Sequence, residues 1–158
     1  MRTVAAAYRV PGGNGARHHP TRRGSAMIGL DTNVLARYFA QDHPLQSAQA
    51  TTLIESLDEQ HPGFLSQIAL AELVWVLDAA YKVRKPQLVR IIERLLLAPE
   101  IIVENAESAL QALHRFAEST AGFADCLIER NGYQAGCSDT LTFDRKAART
   151  AGMRLLGN

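Results

Sequence analysis

"MIGLDTNVLARYF", residues 27–39, decides how the chain is read. A short apolar run breaks into an acid, a threonine and an asparagine, then turns apolar again. A surface turn or a helix cap accommodates the three polar residues, because Asp and Asn commonly fill such positions. So does the end of a buried strand in a parallel sheet, where Asp31 would face the crevice in which such sheets bind ligands. The rest of the chain chooses between these readings.

From Met27 onward strand and helix signals alternate. "MIGLD" reads as a short buried strand. Residues 44–60 read as a helix with Pro44 in its first turn and Leu45, Ala48, Thr52 and Ile54 facing inward, broken by Pro62-Gly63. "FLSQIALAELVWVLDAAYKV", 64–83, is rich in alanine and leucine and reads as one long helix. Pro86 opens "PQLVRIIERLLLA", with Leu88, Ile91, Ile92 and Leu95 along one side; Pro99 ends it, and "EIIVE" is a second buried strand. Residues 106–118 and 123–131 read as helices, the latter stopped near Asn131-Gly132. "YQAGCSDTLTFD" reads as one or two short strands, followed by a small helix at 145–151 and an edge strand in "MRLL". Strands separated by helices predict an α/β sandwich around a mostly parallel sheet.

Composition bounds the function. A chain of 158 residues, 47% apolar, suits one globular domain with a single core. No apolar stretch approaches the roughly 20 residues that span a bilayer, so no membrane role is expected. Cys126 and Cys137 lie too far apart for a C-x-x-C motif and are expected to be reduced thiols of a cytoplasmic protein. Five arginines and no acid fall in residues 1–26, so the 12 Lys and Arg residues that remain face all 16 acids. The folded part is therefore acidic, which argues against a broad basic face for gripping nucleic acid. Residues 1–26 show no sustained period and read as a disordered extension to a domain spanning 27–158. Arg22-Arg23 lacks the apolar stretch of roughly 7–15 residues that a twin-arginine signal needs next. Met27 is expected to be the natural start.

Glu72 is the misplaced acid. Its helical neighbours at three and four residues are Ile68, Ala69, Trp75 and Val76, with Ala79 two turns on, and none is polar. A buried lone carboxylate costs several kcal/mol, on the order of a lost ion pair, unless it is paired or bound to metal. Asp125 opens the helix "FADCLIERNG", and Asp144 follows "TLTF" before "RKAAR"; either suits a helix terminus or cap. Asp139 reads as a turn residue. Four acids, Asp31, Glu72, Asp125 and Asp144, thus fall where they can face one crevice. No His or Cys cluster accompanies them, which disfavours zinc, and carboxylates with water suit Mg²⁺ or Mn²⁺. Such sites activate water for in-line attack at phosphorus.

"MIGLDTNVLARYF", "LAELVWVL", "FADCLIERNG" and "TLTFDRKAAR", in that order and spacing, resemble PIN-domain ribonucleases, specifically the VapC-type toxins of toxin–antitoxin pairs. The resemblance runs from Met27 to nearly the C-terminus, and Cys126 departs from it where a small residue such as alanine is usual. It implies a three-layer α/β/α fold and a metal-dependent endoribonuclease that leaves a 5′-phosphate and a 3′-hydroxyl. It implies that Asp31, Glu72, Asp125 and Asp144 are catalytic and hold one or two Mg²⁺ or Mn²⁺ ions. Thr32 and Asn33 match the polar pair expected to orient Asp31, and Thr142 matches a hydroxyl position that often lines the same pocket. Arg37, Arg130, Arg145 and Lys146 are the bases nearest the motifs and so the candidates for contact with RNA, a solvated surface charge being the ordinary reading of each. The cluster Lys82, Arg84, Lys85 sits at a helix end, where cations are favoured anyway. The resemblance further implies a homodimer or larger assembly, inhibited by a cognate VapB-type antitoxin, with the helices at 44–60 and 86–97 as contact candidates.

Two other phosphorus chemistries fit less well. A phosphatase of the haloacid-dehalogenase type needs a second Asp two residues after the first, where this chain has Asn33. A receiver-like module needs a phosphoacceptor Asp at a middle strand and a Lys near the last, and neither is in place. A PIN-like scaffold that binds RNA or protein without cutting is the remaining alternative. The reading of Met27 as the start predicts that N-terminal sequencing of the natively expressed protein finds no residue of the arginine-rich stretch.

Overall fold

A computed structural model describes residues 26–157 of the chain. The expectations for the arginine-rich stretch, including the start at Met27, concern residues that, Ala26 apart, lie outside those described.

The elements follow as β1 (Ile28–Gly29), α1 (Thr32–Ala40), α2 (Pro44–Glu55), β2 (Gly63–Leu65), α3 (Gln67–Ala79), α4 (Lys85–Leu97), β3 (Ile101–Val103), α5 (Ala106–Glu118), α6 (Phe123–Gln134), β4 (Leu141–Thr142), α7 (Arg145–Thr150) and β5 (Arg154–Leu155). Strands β1, β2 and β3 form one sheet in that order, and β4 pairs with β5 in a second. Every ladder among the described residues is parallel, with Gly29 opposite Phe64 and Phe64 opposite Ile102. Parallel neighbours need crossover connections, and helices supply them here, giving the expected three-layer α/β/α arrangement.

The core is aliphatic. Leu35, Leu65, Leu70, Leu73, Leu77 and Ile92 are all but inaccessible, so α1, β2, α3 and α4 share one interior. The α4 side read as Leu88, Ile91, Ile92 and Leu95 does face inward, with Ile91 half-buried. Phe116 and Phe123 meet edge to face at 5.8 Å where α5 joins α6.

Several expectations are corrected. "MIGLD" is not a buried strand: Met27, Ile28 and Gly29 are exposed and only Leu30 is buried. The reason is position, since β1 pairs only with β2 and is an edge of its sheet. The helix read over 44–60 stops at Glu55, and its inner face is Ser47, Ala50 and Ile54, while Leu45 is 66% exposed. Small residues win the inner positions because α2 packs against α1. The run 64–83 is not one helix: Gly63–Leu65 is the middle strand of the sheet, and Ser66 caps α3 by accepting from the Ala69 N–H at 3.2 Å. Helix α6 runs through Asn131-Gly132 to Gln134. Gly132 is a point of close approach instead, because a Cβ there would sit 2.6 Å from Thr140 Oγ1.

Truncating Leu73 to alanine should cost about 2–5 kcal/mol in urea unfolding, by opening a cavity in this interior. Burial pushes the Cys126 thiol up to about 11, whereas Cys137 is exposed. The native protein should therefore show one reactive thiol near neutral pH, and two after unfolding.

Candidate active site

Asp31 lies two residues beyond the end of β1 and is the N-cap of α1. The carboxylate caps the helix and stands at the carboxyl end of the sheet. Its Oδ2 accepts from the Asn33 N–H at 3.3 Å and from Asn33 Nδ2 at 3.1 Å. Thr32 does something different from its expected role. It is 3% exposed, and its hydroxyl donates to Glu72 Oε2 at 2.6 Å, so it holds the glutamate and not the aspartate.

Glu72 is exposed, which overturns the argument from its apolar company. Ile68 and Trp75, its helical neighbours, are themselves 81% and 68% exposed. This side of α3 stands open, and Glu72 needs no counter-charge to exist there. What ties Glu72 to a site is geometry. Asp31, Thr32, Ser66, Ile68, Ala69 and Glu72 line one open pocket of about 440 Å³ at the carboxyl ends of β1 and β2.

Asp125 and Asp144 do not line this pocket. Asp125 sits half-buried in the first turn of α6, where Gly122 leaves it room: a Cβ at Gly122 would be 3.1 Å from Asp125 Oδ2. Asp144 is the N-cap of α7, its Oδ1 accepting from the Lys146 and Ala147 N–H groups at 2.6 and 3.2 Å. Thr142 Oγ1 accepts from the Asp144 N–H at 3.0 Å, so it shapes this turn. Neither acid lines the pocket of Asp31 and Glu72. Among the described residues no group of three or more His, Cys, Asp or Glu side chains is gathered closely enough to hold a metal ion. The two carboxylates that do share a pocket, with hydroxyls and no sulfur or imidazole, fit a hard cation. Mg²⁺ is commonly held by one or two carboxylates, its other positions going to water and substrate phosphate.

Glu104 is an acid the sequence reading passed over. It follows β3 directly, and its Oε2 accepts from the Gln67 N–H at the start of α3, at 2.9 Å. The logic applied to Asp31, an acid just after a strand, would have marked it in "EIIVE".

The four bases separate into two kinds. Arg37 donates to Asp42 at 2.5 Å and to Gln46 at 2.9 Å and also reaches the Tyr81 hydroxyl, which itself donates to Asp42. Arg130 makes a two-pronged contact with Glu129 at 2.5 and 2.6 Å and stacks 4.6 Å from the Tyr133 ring centre. Both are thus paired within the protein. Arg145 and Lys146 are exposed and make no ion pair with an acid among the described residues.

The match to known families is clear at the level of the domain. The model of the PIN domain family covers residues 28–153, and the chain belongs to that family. PIN domains are commonly nucleases, which places the chain in a hydrolase-type fold. No curated protein matches the chain. No helix among the described residues is long and apolar enough to cross a membrane.

The Arg37 guanidinium, and after it the Tyr81 hydroxyl, hold the Asp42 carboxyl below the ordinary aspartate value of 3.8. A lowered carboxyl adds stability that is complete above the unfolded value and fades as pH falls through the folded one. An NMR titration should find Asp42 below an ordinary aspartate, and Arg37→Leu should return it towards that value.

Proposed function

We propose that the chain is a Mg²⁺- or Mn²⁺-dependent endoribonuclease, the toxin of a type II toxin–antitoxin pair, acting in the cytoplasm. The observation that carries the nuclease reading is the meeting of Asp31 and Glu72 in one open pocket, in a chain of the PIN domain family.

Each carboxylate is held by one oxygen. Asn33 occupies Oδ2 of Asp31 and Thr32 occupies Oε2 of Glu72. The other oxygen of each accepts no hydrogen bond among the described residues and is available to a cation. Asp125 and Asp144 are assigned to complete the set from their places in the motif blocks, with Thr142 supporting the turn of Asp144. Bound there, the metal would lower the pKa of its water and stabilise the charge that builds at phosphorus. Arg145 and Lys146, exposed beside Asp144, are suited to the phosphates of the RNA. Leu45 on α2 and Leu97 on α4, 66% and 71% exposed, support these helices as the contact region for a VapB-type antitoxin. A homodimer belongs to the same reading.

A second reading has its own support. Only two of the four acids share a pocket, which suits a PIN scaffold that binds RNA or protein without cutting it. A phosphatase gains nothing, because Asn33 stands where its second Asp is needed and is committed to Asp31.

Cleavage of RNA by the antitoxin-free protein in Mn²⁺ separates the readings. Asp31→Ala should lower it about 100-fold or more, equivalent to several kcal/mol of lost transition-state stabilisation. Thr32→Val, which frees Glu72, should lower it roughly 10-fold. Mg²⁺ and Mn²⁺ should also raise the melting temperature of the wild type and not of Asp31→Ala. No cleavage by the wild type favours the binding scaffold.

A further inference from the structure

Gln67 opens α3, five residues before Glu72, and its polar groups are tied in three directions. Its N–H donates to Glu104 Oε2 at 2.9 Å, its Nε2 donates to the Asn105 carbonyl at 3.3 Å, and its Oε1 accepts from Asn131 Nδ2 at 2.7 Å. A backbone carbonyl can only accept, so Asn105 fixes which end of the Gln67 amide is nitrogen. The oxygen is then left for Asn131, which must offer its own nitrogen. Asn131 Oδ1 is thereby turned to a buried place where it has no donor among the described residues. One turn further along α6, Gln134 Oε1 accepts from Asn105 Nδ2 at 3.0 Å. The carboxyl end of β3, the start of α3 and the body of α6 are joined by one chain of hydrogen bonds.

A buried acceptor with no donor destabilises a fold, and a pair of apolar side chains here would avoid it. Its presence is explained by what a directional contact does and apolar packing does not: it fixes both separation and rotation. Helices α3 and α6 pack together, α3 carrying Glu72 and α6 carrying Asp125.

We propose that the Gln67–Asn131 pair is a brace that sets the separation and rotation of α3 and α6, making both positioning residues for Glu72 and Asp125. The inference rests on the reading of those two acids as metal ligands. Because each helix is a rigid rod over these few turns, fixing Gln67 and Asn131 fixes where the two carboxylates stand. Asn131→Leu removes the contact and the unpaired acceptor and leaves Gln67 Oε1, on a half-exposed side chain, to turn to water, so the variant should stay folded while its site loosens.

The test uses the full chain with Cys137→Ser and spin labels at the exposed positions Asp78→Cys on α3 and Ile128→Cys on α6; the buried Cys126 stays unlabelled. The parent should give one narrow label-to-label distance, and Asn131→Leu a broadened or shifted one. Mn²⁺ affinity by calorimetry should weaken about 10-fold. Gln67→Leu should do the same, and the double variant should do no more than either single, as expected for one contact. Should Asn131→Leu fail to fold, Asn131→Ala takes its place. An unchanged distance distribution or an unchanged Mn²⁺ affinity in the folded variant overturns the proposal. A parent that binds Mn²⁺ but cuts no RNA refutes the nuclease reading alone, since neither measurement of the brace depends on cleavage.

Discussion

The Thr32 hydroxyl is the joint on which the pocket depends. It is buried, it belongs to the first turn of α1, and it donates at 2.6 Å to a carboxylate on α3. Charge-assisted hydrogen bonds of this kind are short and directional. This one places Glu72 beside the cap of the helix that Asp31 opens. Without it, an exposed glutamate on an open helix face would sample several rotamers, and the two carboxylates would share a pocket only part of the time.

That joint is available because the strands are short and parallel. Gly29 stands opposite Phe64, so the chain leaves β1 at Leu30 and β2 at Leu65 side by side. Asp31 and Ser66, the next residues, each cap a helix. Two helix N-termini therefore open beside one another at the same end of the sheet. Their dipoles offset negative charge placed there, as they offset that of a capping aspartate. Glu104 extends the pattern to the third strand, its carboxylate lying against the start of α3. Acids gather at this end because the topology makes it the electropositive end of the backbone.

The alternation of strands and helices was legible in the sequence because the helices are long and carry a clear stripe, as α4 does with Leu88, Ile92 and Leu95. What was illegible had physical causes. β2 is three residues long and runs into a strong helix former, so local propensity erased it. The phase of α2 was misread because Ser47 and Ala50 face α1, where size matters more than hydrophobicity. Asp31 was legible as an acid at the turn from strand to helix, and the structure has it capping α1 with Asn33 bonded to it. Glu72 was singled out for burial, which the exposed Ile68 and Trp75 remove, whereas its tie to the site is a hydrogen bond to Thr32, 40 residues away in sequence. Spacing within one helix carries no trace of such a contact.

Charge tells a similar story about long-range pairing. An acidic body is a poor surface for a polyanion, and counting bases near the motifs treats all four alike. The structure divides them by their neighbours. Arg37 is neutralised by Asp42 and Arg130 by Glu129, each within hydrogen-bond distance. A guanidinium so paired would have to give up its carboxylate before it could hold a phosphate, and the exchange gains little. Arg145 and Lys146 carry no such debt. They also sit in the first turn of α7, where the Asp144 cap, and not a salt bridge, answers the positive end of the helix. Two unpaired cations beside the capping Asp144 leave that turn open to an anion in a way that the paired Arg37 and Arg130 do not.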